Sequence, residues 1–79
     1  MKGTIYAIYE DHHYENINNK RIDIGKFYVD EIQFSDLKDL LLKTADFSEA
    51  YILTRVFEDK GIAQQKANIL TEEKLNYNK

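Results

Sequence analysis

The chain has no cysteine, no proline and no tryptophan, and only three glycines in 79 residues. Without cysteine there is neither a disulfide framework nor a thiolate metal site to staple so short a chain, so packing has to hold it. Gly3, Gly25 and Gly61 stand too far apart for a glycine-rich phosphate loop, and no GxGxxG or Walker spacing occurs, so nucleotide cofactors are not expected. No aliphatic run is longer than Leu40 to Leu42, against the roughly 20 apolar residues needed to span a bilayer. Met1-Lys2-Gly3 leads straight into patterned sequence with no apolar signal region, which makes the cytoplasm the expected location.

Basic charge is scarce too. Lys and Arg number 11 against 14 Asp and Glu, for a net charge of −3, and no basic cluster exceeds Lys20-Arg21. Residues 1–40 hold 5 basic and 8 acidic side chains while residues 41–79 hold 6 of each, so the acidity lies in the N-terminal half. A nucleic-acid binder displays a basic face that neutralises phosphates and releases their counterions, so direct nucleic-acid binding is not expected.

What remains is a composition in the globular range, 43% hydrophobic and 32% charged with ten aromatics, four Phe and six Tyr, that argues against disorder. The length suffices for one domain, residues 1–79, with residues 71–79 as a loose polar tail.

Thr4 to Tyr9, rich in β-branched and aromatic residues, reads as a strand. Glu10 to Lys20 reads as an exposed connection in which Asn16, Asn18 and Asn19 favour turns. From Arg21 to Phe34 the apolar residues alternate but shift phase twice, which predicts a strand with a bulge at Gly25 and a second irregularity near Asp30-Glu31. Ser35, Asp36 and Asp39 mark a helix start. Leu37, Leu40, Leu41 and Ala45 then form a helical apolar stripe, giving a helix over about 36–45 whose polar face is solvated.

Ala50 to Glu58 satisfies both helical spacing and strand propensity. If helical, Ser48 and Gly61 cap it; if extended, Glu58-Asp59-Lys60-Gly61 turns it into a second strand over Ile62–Leu70, although Ala63 to Ala67 is a good helix former. The hairpin is preferred because two early strands alone make a marginal sheet. The expected fold is therefore α+β, a small antiparallel sheet of about ββαββ order packed on one helix. The alternative is a two-stranded hairpin followed by two or three helices.

Glu10-Asp11-His12-His13-Tyr14-Glu15 places two histidines and three carboxylates in six residues. Adjacent histidines in an extended segment point to opposite sides, so a shared metal ion is not expected, and no distant histidine completes a catalytic triad. The paired acids at Asp30-Glu31, Glu58-Asp59 and Glu72-Glu73 read as solvated loops or strand ends. Neither catalysis, metal nor cofactor is expected, and the chain is not read as an enzyme.

Tyrosine offers an apolar face with a polar tip and is enriched at interfaces. Tyr6, Tyr9, Tyr14 and Tyr28 lie in the acidic half, and with Asp30 and Glu31 they form the expected partner-binding set, aimed at a protein with a basic surface. Duplex mimicry over roughly 30 Å would need about 18 charges, beyond what 14 acids offset by 11 bases supply.

In length, acidic balance, abundance of tyrosine and asparagine and lack of enzyme motifs, the chain looks like the small inhibitors encoded by bacteriophages and other mobile elements, including anti-CRISPR proteins. The likeness covers gross properties, and no motif carries over residue by residue. It implies an inhibitor of a host nucleic-acid-processing or defence complex. The other function class is a structural or assembly subunit, such as a homodimer, that pairs with itself through an exposed strand edge.

Overall fold

A computed structural model describes residues 2–77. The class is α+β, in the order β1 (Gly3–Glu10), β2 (Tyr14–Ile17), β3 (Lys20–Asp23), β4 (Phe27–Phe34), α1 (Leu37–Lys43), α2 (Glu49–Arg55), β5 (Val56–Phe57) and α3 (Lys60–Tyr77). β1 is the centre of a three-stranded sheet, β4-β1-β5, and pairs antiparallel with both neighbours. β2 and β3 form a separate antiparallel pair.

The two ladders belong to one long hairpin. Gly3 pairs with Phe34 and Tyr14 with Asp23, so paired residue numbers add to 37 in both ladders and the register runs unbroken between them. Asp11 N–H to Lys26 O at 2.9 Å and Ile24 N–H to His13 O at 2.7 Å carry it across the gap. Asn18 and Asn19, with φ of 53° and 66°, turn the chain in the two-residue geometry that needs a positive φ at both positions. The expected exposed connection is therefore half strand, with Tyr14–Ile17 as one edge of an arm.

Neither expected bulge is present, because the phase shifts have another cause. Even positions of β1 and odd positions of β4 share one face, on which Phe27 and Val29 meet α3; Ile32 and Phe34 point to the other face, beneath α1. A strand covered on opposite faces at its two ends shifts apolar phase without gaining a residue. Gly25 is required for a different reason: a Cβ there would stand 1.8 Å from the Asp11 carbonyl oxygen, so only glycine lets the two backbones approach.

The C-terminal half corrects the expected ββαββ order and lies nearer the alternative of a hairpin followed by helices. Residues 49–55 are helical, capped by Ser48 Oγ, which accepts from Tyr51 N–H at 3.1 Å. Residues 62–70 belong to α3, whose start is set by Asp59 Oδ1 accepting from Ile62 N–H at 2.9 Å; Gly61 lies inside its first turn and caps nothing. Helix-forming Ala63 to Ala67 prevails because alanine lets the α3 backbone settle onto the sheet. Residues 71–77, expected to be a loose tail, are its last turns: Thr71 Oγ1 accepts from Phe27 N–H at 2.9 Å and Lys74 reaches Asp11 O, while 78 and 79 lie outside the described residues.

Among the described residues the fully buried apolar side chains are Ala7, Ile8, Ala63 and Ala67, with Ile8 the one large member. The molecule measures 52 × 23 × 18 Å with a radius of gyration of 15.1 Å, against about 12 Å for a compact chain of this length, because the arm projects. No helix among the described residues is long and apolar enough to cross a membrane.

Candidate functional site

At the root of the arm, Asp23 gathers the polar contacts of the hairpin. Its carboxylate accepts from His13 N–H at 3.1 Å and Gly25 N–H at 2.9 Å, lies 2.7 Å from His12 Nδ1, and meets Lys74 Nζ at 2.9 Å. Lys74 also meets Glu10 at 3.0 Å, so α3 is pinned to both strands of the hairpin. Burial works to raise the Asp23 pKa, yet hydrogen bonds from Lys74, then His12 and the Gly25 and His13 backbone, outweigh it and hold the carboxyl well below its usual range.

Glu10, His12 and Asp23 are the one group among the described residues with ligand atoms close enough, within 4.8 Å, to hold a metal ion. An ammonium from Lys74 already sits on both carboxylates and offsets one of their two charges, so the arrangement reads as a structural ion-pair cluster. His13 points the other way and meets Glu15 at 3.3 Å, the divergence expected of adjacent residues in an extended segment. A groove of about 600 Å³, open to solvent, runs past Thr4, Gln33, Phe34, Ser35, Asp39 and Lys43; histidine is not among its lining residues.

The six residues expected to form one partner face are divided among three places. Tyr9, Tyr28 and Asp30 share one sheet face, where Tyr9 packs against Tyr28 at 5.8 Å between ring centroids and against Phe47 at 6.3 Å and Tyr51 at 6.4 Å. Tyr6 and Glu31, paired across the strands, face the opposite side. Tyr14 stands on the arm between His12, whose ring stacks on it at 6.2 Å, and Arg21, whose guanidinium lies 4.6 Å from its centroid. Tyr28 and Tyr14 are half exposed, whereas Tyr9 and Tyr51 are largely covered. Tyr51 donates its hydroxyl to Ile8 O, and burial, with Tyr9 adding to it, pushes its pKa up to about 12.

The feature that sequence reasoning missed is the direction of α1. Asp36 accepts from Asp39 N–H at 2.8 Å, and Asp39 accepts in turn from Ser35 N–H at 3.0 Å, a reciprocal cap displaced one residue from the expected serine. Lys43 Nζ donates to Gln33 O at 2.6 Å and pairs with Asp39 at 3.1 Å. These contacts turn the polar side of α1 toward the end of β4. Of the expected stripe only Leu40 is half-buried; Leu37, Leu41 and Leu42 are 58, 61 and 68% exposed and Ala45 is exposed too. Leu53 on α2 is 75% exposed. The sequence signal was available: Leu40, Leu41 and Leu42 span too wide an arc of a seven-residue helix to be covered from one side.

β4 is an edge strand, and its outer side is guarded. Thr71 takes the N–H of Phe27, Lys43 takes the carbonyl of Gln33, and Asp30 and Glu31 occupy the middle, the usual defences of a strand against edge pairing. Comparison with family models, with curated proteins and with solved structures finds no match to this chain.

Proposed function

We propose that this chain is a non-enzymatic protein-binding module that docks through the outward leucine side of α1. The carrying observation is that Leu37, Leu41 and Leu42 of α1 are more than half exposed while Asp39 and Lys43 reach back to Ser35 and Gln33 at the end of β4, so that of the α1 leucines Leu40 alone is half-buried. Such a face gains when another protein covers it, at roughly 25 cal/mol per Å² of apolar surface removed from water. The more particular reading, an inhibitor of a host nucleic-acid-processing or defence complex with a basic surface, draws its support from the acidic N-terminal half and from Asp30 beside Tyr9 and Tyr28.

Affinity purification of the tagged full chain from host lysate separates these components. A stoichiometric partner, a further copy of the chain included, is expected with wild type and is lost with Leu37→Glu/Leu41→Glu; loss with Tyr28→Ala/Asp30→Lys instead would assign docking to the acidic face. Equal recovery by wild type and both variants contradicts the proposal.

A further inference from the structure

We infer that the occupant of the α1 face is a second copy of this chain, bound about a two-fold axis with α1 against α1. The inference rests on the docking reading above and adds the partner to it.

Surface area is the first argument. The chain exposes 6101 Å², whereas a compact monomer of 9.3 kDa exposes about 5,000 Å². The difference, about 1,100 Å², exceeds the roughly 800 Å² that one partner contributes to a standard interface. The projecting arm accounts for part of that surplus, and Leu37, Leu41 and Leu42 of α1, all more than half exposed, are the apolar surface that an α1–α1 contact would cover.

The core supplies the second argument. With four small or medium side chains fully buried, Ile8 the largest, the monomer has little to set against the chain entropy lost on folding. A chain in that position is stabilised by whatever binds its folded form, and its own copy is the one partner present wherever the chain is made. Charge permits it: Lys38 stands between Leu41 and Leu42 and Asp36 at the helix start, so antiparallel helices related by a two-fold axis bring both signs into the contact. One competing route to a homodimer, pairing along β4, meets the Thr71 and Lys43 side chains already bound to that edge.

The absence of cysteine makes the test clean. Light scattering at about 50 µM, above the micromolar Kd of the weaker standard-sized interfaces, is expected to give twice the 9.3 kDa chain mass for wild type and the single mass for Leu37→Glu/Leu41→Glu. Because that variant can unfold once its partner is lost, single cysteines provide a second readout. With a short bismaleimide, Leu41→Cys is expected to cross-link to a dimer at least tenfold faster than Asn16→Cys on the arm.

A dimer that persists in the double variant, or equal cross-linking at both positions, overturns the α1 interface. A folded, monomeric wild type overturns the second copy, and dye binding then decides the fate of the docking reading. If the monomer binds anilinonaphthalene sulfonate and the double variant does not, the face stands and serves another protein; if neither binds it, the docking reading falls as well.

Discussion

α3 and α1 meet the same sheet in opposite ways. α3 brings alanines inward, Ala63 and Ala67 at zero exposure against the face that carries Ile8, and it ties its far end down through Thr71 and Lys74. α1 reaches back to the end of β4 through Asp39 and Lys43 and, Leu40 apart, carries its leucines out. Length explains much of this: eighteen residues give α3 several turns over which small side chains can settle, whereas seven residues leave α1 to be oriented by whichever anchors lie at its ends. Caps and periodicity establish that a helix forms, and contacts at its ends decide which way it faces.

If that contrast is right, substitutions beneath α3 and on α1 should behave as different classes. The largest effect belongs to Ile8→Ala, expected to lower unfolding free energy by about 2–5 kcal/mol in denaturant titration, a large fraction of the roughly 4–12 kcal/mol available to a chain of this size. Gly25→Ala should lose about 3 kcal/mol, since the added Cβ meets backbone rather than a side chain that could move aside. Ala67→Leu, overfilling the seam under α3, should lose about 1–3 kcal/mol. Leu41→Ala, in dilute monomer, should stay within about 0.5 kcal/mol of wild type. A loss at Leu41 as large as that at Ala67 would erase the distinction between the two helices.

Smaller effects sharpen the picture of each sheet face. Tyr51→Phe removes one hydrogen bond to the β1 backbone and should lower stability by about 1 kcal/mol at neutral pH. The Tyr51 pKa is higher in the folded chain than in the unfolded one, so its contribution is whole below pH ~10 and fades as pH rises toward about 12. Alkaline melting curves of Tyr51→Phe should lack that slope. Asp23 runs in the opposite sense: its folded pKa is depressed, so its contribution is present above pH ~4 and is lost as acid protonates it. Asp23→Asn should flatten the acid limb of the melting profile, and zinc should leave the wild-type melting temperature unchanged while the Lys74 ammonium occupies both carboxylates.

Much of the fold was legible in residues 1–48. The first strand, the Asn18-Asn19 turn signal, the helix start at Ser35-Asp36 and the cap at Ser48 can all be read from local chemistry. The hairpin register is hidden because Tyr14-Glu15-Asn16-Ile17 is too polar to look like a strand, and because β4 has a different cover at each end, which breaks the alternation expected of one buried face. Counting outward from Asn18-Asn19 would have found it, since Thr4–Tyr9 and Tyr28–Gln33 lie at equal distances on either side. Of the candidate site, residue types were readable but their grouping was not: Tyr6 and Glu31 parted from Tyr9, Tyr28 and Asp30 through strand alternation, and that requires the register. The spacing of the α1 leucines shows that one side cannot cover them all, but which of them stays outside is set by the Asp39 and Lys43 contacts, which periodicity does not carry.

Thiol labelling of single-cysteine variants tests the orientation of α1 and its cover together. Leu41→Cys should react rapidly in dilute solution and slow at least tenfold as protein concentration rises into the dimer range, while Leu40→Cys, half-buried against the chain's own sheet, should react slowly throughout. Fast labelling at position 40 with slow labelling at 41 in dilute protein would mean the helix faces the other way, and a Leu41→Cys rate indifferent to concentration would mean that no second copy covers it.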